Sequence, residues 1–397
     1  MDVIEYRDLY PTEVQRMYCA DCSSYLGLLY NDFAKIVSGV TIIVRSLPTL
    51  ACPRCGRTFL PDRSRFAVIR LFDEAGKRGD SEVRVTRKKI TETFGFTIVP
   101  FIYDPDDYYY IPGLVREWDP GYLTPVFFNR RVLIKFDHAA EYELRFASRT
   151  YGSIYTESST ISFGINPNNK VVLWLGDIAE LPESEQYYLR SENVESDHCL
   201  GSEFYDGQIE CKFTDPTAED ALIAARSQFL EAAARYFGSA ISHLDEETLD
   251  AVRDFYPPTA FTDREQQRLS ALVNQICVES LDARALKALL ATREIDAEGQ
   301  GSLKRLQTLL SHEFPESQVS STLAPLFVAY DVRVAYAHLT SKERAEELIA
   351  SARDRLGLGG DAAFEVVYNE LLRHLTRAFE ELRGRLSGHE LNGRGDR

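Results

Sequence analysis

No run of about 18 apolar residues occurs in this chain of 397 residues, so no segment reads as a membrane-spanning helix. The amino end, Met-Asp-Val-Ile-Glu-Tyr-Arg-Asp, lacks the basic and apolar blocks of a secretory signal. Also missing are GxGxxG, the Walker loop, HExxH and the nucleophile elbow, which argues against dinucleotide binding, nucleotide hydrolysis and serine-hydrolase chemistry. There is no internal repeat of 20 to 50 residues and no sustained heptad. Positive charge is in short supply: the formal charge is −16, which argues against a protein that coats nucleic acid indiscriminately. Cysteine is neither abundant nor even in number, and seven residues with three of them scattered are not a disulfide framework. Together these absences predict a cytoplasmic protein with reduced thiols and no membrane contact.

What is present fits a folded chain. Apolar residues make up 44% and charged residues 27%, close to globular averages, and the length exceeds what one core usually serves. The composition predicts a multidomain α+β protein. Residues 1–63 form a module around two cysteine pairs, and 64–215 form a β-rich middle domain. Residues 216–386 form an all-α helical bundle, and the Gly-rich, polar 387–397 form a disordered tail. The middle is read from short runs such as Phe66 to Phe72, Val126 to Phe128, Val132 to Phe136, Tyr142 to Phe146 and Val171 to Leu175. Turn residues such as Asn166-Pro-Asn-Asn169 separate them, and a helix is placed near Arg87 to Phe94. After Thr214-Asp-Pro216 the composition turns to Ala, Leu, Glu and Arg at helical spacing. It predicts helices near 217–237, 245–255, 263–281, 282–292, 302–312, 319–339, 341–356 and 361–386.

Cys19-Ala-Asp-Cys22 and Cys52-Pro-Arg-Cys55 are two CxxC knuckles with 29 residues between them. A CxxC places two thiolates on one tight turn, and two such turns supply the four ligands of a tetrahedral zinc, the spacing of a zinc ribbon. Four thiolates leave no open position, so the expected zinc is structural, either as a folding staple or as a rigid platform for phosphate contacts. The second option draws on a local asymmetry. Residues 54–89 hold eleven basic side chains against five acidic ones, a surplus of +6, while the remaining chain carries −22.

Near the carboxyl end the helix-patterned segment Tyr330-Asp-Val-Arg333-Val-Ala-Tyr-Ala-His338-Leu joins a guanidinium to an imidazole five residues on. On an ideal helix the two point about 140° apart, and they converge only on a cleft wall. The pentad resembles the R-x4-H signature of the HEPN superfamily, helical domains of which many are metal-independent endoribonucleases. The likeness covers residues 319–386 directly. It implies a helical bundle whose protomers pair into a composite site, with His338 in proton transfer, Arg333 on the phosphate, and Asp331 and Tyr336 nearby to orient or polarise. Where catalytic members carry a polar residue after the Arg, this chain has Val334. The competing reading is that His338 ends a helix and Arg333 pairs with a surface carboxylate.

Residues 180–215 carry ten acids against Arg190 and Lys212. The stretch Asp197 to Glu210, with His198 inside it, mixes ligands that suit magnesium or manganese, although a solvated acidic loop is the favoured reading, ahead of a metal site and a protein-docking surface; Asp177 is a further candidate. Aromatic clusters such as Tyr108-Tyr109-Tyr110 are read as core. The leading expectation is therefore a zinc-bearing HEPN-like endoribonuclease with RNA as its partner. By that resemblance it would be a bacterial toxin or phage-defence effector, triggered by a protein activator or phage component and built as a homodimer or higher homo-oligomer. The alternative is a non-catalytic zinc-ribbon adaptor that binds nucleic acid or protein and dimerises through its helical domain. A third reading places a metal-dependent nuclease at Asp197 to Glu210.

Overall fold

The computed structural model of the chain describes residues 2–10, 14–157, 159–243 and 245–393, with side chains as far as residue 388. The fold is mixed α/β and divides into two compact units, residues 1–215 and 216–397. No helix among the described residues is long and apolar enough to cross a membrane.

The first unit starts with β1 (Asp2–Ile4), β2 (Gly27–Val37), β3 (Val40–Ala51), β4 (Thr58–Phe59), α1 (Asp62–Arg78) and β5 (Glu82–Thr86). β2 and β3 form a long antiparallel hairpin closed by Ser38-Gly39, both at positive φ, as a two-residue turn between right-twisted strands requires. β1 and β5 add in parallel to β2 and β3 respectively, and β4 pairs the far end of β3. α1 covers this sheet through Val68 and Ile69, which pack with Phe33, Ile42 and Val44. Segments on both sides of residue 63 thus share one sheet and one apolar cluster.

A second sheet of six strands follows, with α2 (Pro105–Tyr110), β6 (Pro125–Asn129), α3 (Leu133–His138), β7 (Glu143–Phe146), β8 (Tyr151–Tyr155), β9 (Thr160–Ile165) and β10 (Lys170–Trp174). α4 (Leu175–Ile178), α5 (Glu183–Glu192), β11 (Asn193–Val194) and α6 (Glu203–Gln208) complete the unit. The strand order is β11-β6-β10-β9-β8-β7, and every pairing is antiparallel. Because side chains alternate along a strand, Phe127, Val172 and Trp174 enter one core and Phe128, Val171 and Leu173 the other. Both faces of this sheet are therefore buried.

The second unit is helical: α7 (Ala218–Phe237), α8 (Asp245–Arg253), α9 (Asp263–Asn274), α10 (Ala283–Ala291), α11 (Ser302–Glu313), α12 (Glu316–Ala337), α13 (Lys342–Arg355) and α14 (Phe364–Gly393). α9 runs on into a π-helical turn, Gln275–Glu279. Thr217, Thr262, Asp282 and Ser341 cap the helices that follow them by accepting backbone N–H bonds. One apolar core, including Phe229, Leu323, Leu372 and Phe379, joins the bundle.

The structure departs from the sequence reading at four places. Phe66 to Phe72 lies inside α1, where the buried positions follow helical rather than alternating spacing. Val132 to Phe136 is a 3₁₀ turn and α3, burying Val132, Leu133 and Phe136. Arg87 to Phe94 carries no helix. Residues 387–393 belong to α14, and 394–397 lie outside the described residues.

Close packing around the second sheet is testable at Gly164. A methyl group there would stand 2.6 Å from Phe204, whose ring stacks on Trp174 at 4.7 Å. Gly164→Ala should lower stability by about 1–3 kcal/mol in urea titration, with an unchanged slope.

Candidate metal centre and neighbouring charged sites

The hairpin of β2 and β3 brings the two knuckles together. Gly27 pairs with Ala51 in its register, so the turn before β2 and the turn after β3 meet at one end of the sheet. In each knuckle the residue after the second cysteine lies in the left-handed region, Ser23 at φ 56° and Gly56 at φ 73°. A backbone bond closes each turn, Ser23 N–H to the Cys19 carbonyl and Gly56 N–H to the Cys52 carbonyl, both at 2.9 Å. The four Sγ atoms of Cys19, Cys22, Cys52 and Cys55 lie within 4.8 Å of one another. Cys19 is 3.5 Å from Cys55, and Cys22 is 3.4 Å from Cys52. Four ligands at about 2.3 Å from a tetrahedral centre stand about 3.8 Å apart, so the sulfurs are placed to hold a metal ion.

The knuckles are rooted in the main core. Cys19 and Cys52 are buried with Met17, Leu26, Leu28 and Leu50 against Trp174 and Phe204 of the second sheet and α6. The hydroxyls of Tyr18 and Tyr25 both donate to Asp206, the latter at 2.6 Å, and Lys212 lies 3.6 Å from the centre of the Tyr18 ring.

Sequence reasoning missed a second cluster. Asp104-Pro-Asp-Asp107 begins α2 with all three carboxylates buried. Asp106 pairs with Arg87 and accepts from the Tyr30 hydroxyl at 2.8 Å, while Asp104 meets Lys89 at 2.7 Å. Asp107 faces His198 Nδ1 at 2.7 Å and accepts from Ser196 Oγ at 2.6 Å; Asp104 lies 3.8 Å from His198 Nε2. Three carboxylates in four residues amid aromatic neighbours were the available signal, since such a run stays buried only with partners.

Burial alone would lower the His198 pKa, but the hydrogen bond and charge of Asp107, helped by Asp104, outweigh it and the net shift is upward. Burial likewise raises Asp107, against the pull of His198.

The acids of the 180–215 segment disperse to separate partners. Asp197 accepts from Asn166 and Asn168 at 3.0 Å and Glu203 from Ser148 at 2.7 Å, while Asp177, just before the segment, accepts from Tyr122 at 2.7 Å. Glu185 meets Lys135 and Glu192 meets Arg131, each at 2.6 Å. Among the described residues only the cysteine quartet brings three or more metal-type ligand atoms all within 4.8 Å of one another.

Arg333 and its neighbours lie on the last two turns of α12. Its Nη2 is 3.3 Å from Glu279 in the π-helical turn, and Glu279 also accepts from Asn274 at 2.8 Å. Asp331 pairs with Arg355 at 2.8 Å. The Tyr336 ring meets Phe364 edge-on at 4.7 Å, and burial raises its hydroxyl pKa. His338 ends the helix in extended conformation, exposed to solvent. Among the described residues no hydrogen bond or ion pair joins any two of these four.

Of the residues in the basic segment, α1 carries five basic side chains against three acidic ones. In steps of about 100°, Arg63, Phe66, Arg70 and Lys77 share an arc of about 60°. All four are exposed, Phe66 at 53%. Asp73 and Glu74 flank this arc; Asp73 accepts from the Tyr6 hydroxyl at 3.0 Å and Glu74 pairs with Arg78 at 3.5 Å. Arg63 sits 4.2 Å over the Tyr109 ring, and Arg54 on the second knuckle is exposed.

Because His198 binds its proton more tightly folded than unfolded, its contribution to stability is complete below the ordinary imidazole value of 6.5 and is lost as pH rises through the higher folded value. Asp107, raised by burial, also loses stability as pH rises, starting from the ordinary carboxylate value of 3.8. Melting temperature should therefore fall as pH is raised above 6.5, and His198→Gln should flatten that part of the profile.

Comparison with known proteins gives no match: no family model, no curated protein and no solved structure resembles the chain.

Proposed function

We propose that this chain is a zinc-stabilised nucleic-acid-binding protein whose first unit grips a phosphate backbone through the exposed face of α1. The metal is zinc because four thiolates on two tight turns are its preferred donor set, and the closed shell leaves it a structural part. Bound there, zinc supplies a cross-link between the two ends of the long hairpin. The chain's own residues do the rest. Arg63, Arg70 and Lys77 offer exposed cations on one helical face, Phe66 offers an exposed ring for stacking, and Arg54 adds an exposed cation on the second knuckle. The carrying observation is this alignment of exposed cations on one face of α1 in a protein that is acidic elsewhere.

The test is fluorescence anisotropy with a labelled single-stranded RNA, repeated with DNA of the same sequence over a salt series. Three phosphate contacts on a single strand give a slope of about −2 for log K against log salt. Arg70→Glu with Lys77→Glu should weaken binding more than about tenfold and make the slope shallower. Purified protein should carry about one zinc, and Cys52→Ser should lose both zinc and binding. Unchanged affinity in the double variant would refute the reading.

A second reading keeps the ribonuclease. It rests on the exposed His338 imidazole at the end of α12 and on the partly exposed Arg333 guanidinium in the preceding turns, in a helical unit. On this reading a phosphate displaces Glu279 from Arg333, and His338 moves a proton at the 2′-hydroxyl or the leaving 5′-oxygen. Total RNA incubated with the protein in EDTA should then be cleaved, and His338→Ala should abolish cleavage while leaving fold and zinc content intact. RNA left whole by the native protein removes this reading.

A further inference from the structure

We propose that the cavity held by the loop between β5 and α2 takes an unpaired guanine base of the strand that lies along α1. The proposal rests on the nucleic-acid reading and deepens it, from phosphate contact to base selection. The cavity measures about 380 Å³, in the size range of ligand sites, and all its lining residues lie between Thr91 and Pro105. No helix or strand occurs from residue 87 to 104, yet side chains from elsewhere in the unit fix the loop. Gln186 of α5 accepts the Ile98 and Val99 N–H groups at 3.0 and 3.2 Å. Asn193 of β11 accepts the Ile102 N–H at 2.6 Å and donates to the Ile102 carbonyl at 3.1 Å. The Phe94 N–H donates to the Tyr103 hydroxyl at 2.7 Å and ties one limb of the loop to the other. A cavity so pinned is formed before a ligand arrives, which lowers the ordering cost of binding.

Its walls suit a planar aromatic guest. Phe94, Phe101 and Tyr103 line it, each partly exposed, and the Phe94 and Tyr103 rings lie within 16° of parallel with centres 6.1 Å apart. Ile98 and Ile102 line it while remaining 70% and 40% exposed, apolar surface that a base would cover. Stacking on such walls holds any base, and selection needs a polar edge. Glu92 supplies it: one carboxylate oxygen accepts from the Tyr109 hydroxyl at 2.5 Å, and the other has no partner among the described residues. Two acceptor oxygens match two neighbouring N–H donors, and guanine alone among the bases carries such a pair, N1–H and the N2 amino group, on its Watson–Crick edge. The Thr91 and Thr93 hydroxyls, which make no hydrogen bond among the described residues, leave a donor for O6 of the same edge.

Two cations tie this cavity to the strand's path. Arg63, at the start of the α1 row, lies 4.2 Å over the ring of Tyr109, the residue whose hydroxyl meets Glu92. Lys88, exposed and without a partner among the described residues, precedes Thr91 by three positions, at most about 10 Å of chain. Both stand beside the cavity, where they offset the repulsion between Glu92 and a phosphate. An apolar peptide would use the rings but neither the cations nor the paired oxygens of Glu92.

The probes are fluorescein-labelled single-stranded RNA octamers on the zinc-loaded full chain: all uridine, and the same strand with one central guanosine, inosine or adenosine. The guanosine strand should bind at least about fivefold tighter than the others, the lower end for a bidentate base contact, and inosine, which lacks only the N2 amino group, should lose that gain. Glu92→Gln should bring the guanosine strand to the affinity of the all-uridine strand and leave the salt slope of the latter unchanged. Amide exchange at 91–105 should slow with the guanosine strand and not with the all-uridine strand. Circular dichroism and zinc content verify the fold of the variant, and the strand comparison and exchange pattern of the native chain decide the matter if it fails to fold. Four strands that bind alike, and that Arg70→Glu with Lys77→Glu still weakens, overturn the base pocket and leave the α1 reading standing. If no strand binds, both fall. Protection of the loop by a phenylalanine-containing peptide and not by RNA assigns the cavity to a protein partner and overturns the proposal.

Discussion

Everything in the first unit depends on the closure of the β2–β3 hairpin at its open end. A long antiparallel pair with a two-residue turn is held well at the turn and poorly where the strands separate, and that is where the four cysteines sit. The free energy of tetrathiolate zinc sites, about 10–16 kcal/mol near neutral pH, is as large as the whole stability of an ordinary domain. Cys19 and Cys52 share a core with Trp174 and Phe204, so any constraint on the quartet also reaches the second sheet. Tyr18 and Tyr25, gripping Asp206 from the first knuckle, carry the same constraint to α6.

How much of this the sequence disclosed depends on the range of the interaction. The cysteine quartet was legible because a CxxC turn is local and its chemistry admits few alternatives. The helices of the second unit were legible because their caps and breakers, Thr217, Asp282, Ser341 and Gly238, act within a few residues. Phe66 to Phe72 was misread because its β-branched and aromatic content suggested a strand. Burial there falls at Val68, Ile69 and Ala75, a helical stripe, with Gly79 in the left-handed region as the stop. Val132, Leu133 and Phe136 repeat the lesson, since a strand would have buried alternate residues.

The charged sites were the least legible part. Asp206 meets Tyr18 across 188 positions of sequence, and Asp107 meets His198 across 91. No local pattern encodes such partners, so an acidic segment that read as a loop or a metal site became a set of separate internal anchors. Asp104 to Asp107 went unnoticed for the converse reason: a carboxylate run looks solvated until Arg87, Lys89 and His198 arrive from elsewhere in the chain.

The same consideration weighs the two phosphate readings. Arg333 approaches a substrate only by giving up Glu279, a half-exposed pair whose loss costs about 0–1 kcal/mol. That penalty is small, but it comes with Asn274, whose amide also holds Glu279 in place. His338, at the end of the helix, has no partner among the described residues to set its direction, so a second surface would have to bring imidazole and guanidinium onto one phosphate. Arg63, Arg70 and Lys77 need neither step. Arg70 and Lys77 project from one face of a single helix where a phosphate backbone meets them by displacing water and counter-ions, and Arg63 offers its guanidinium from over the Tyr109 ring. The reading that requires the fewest broken contacts is binding at α1.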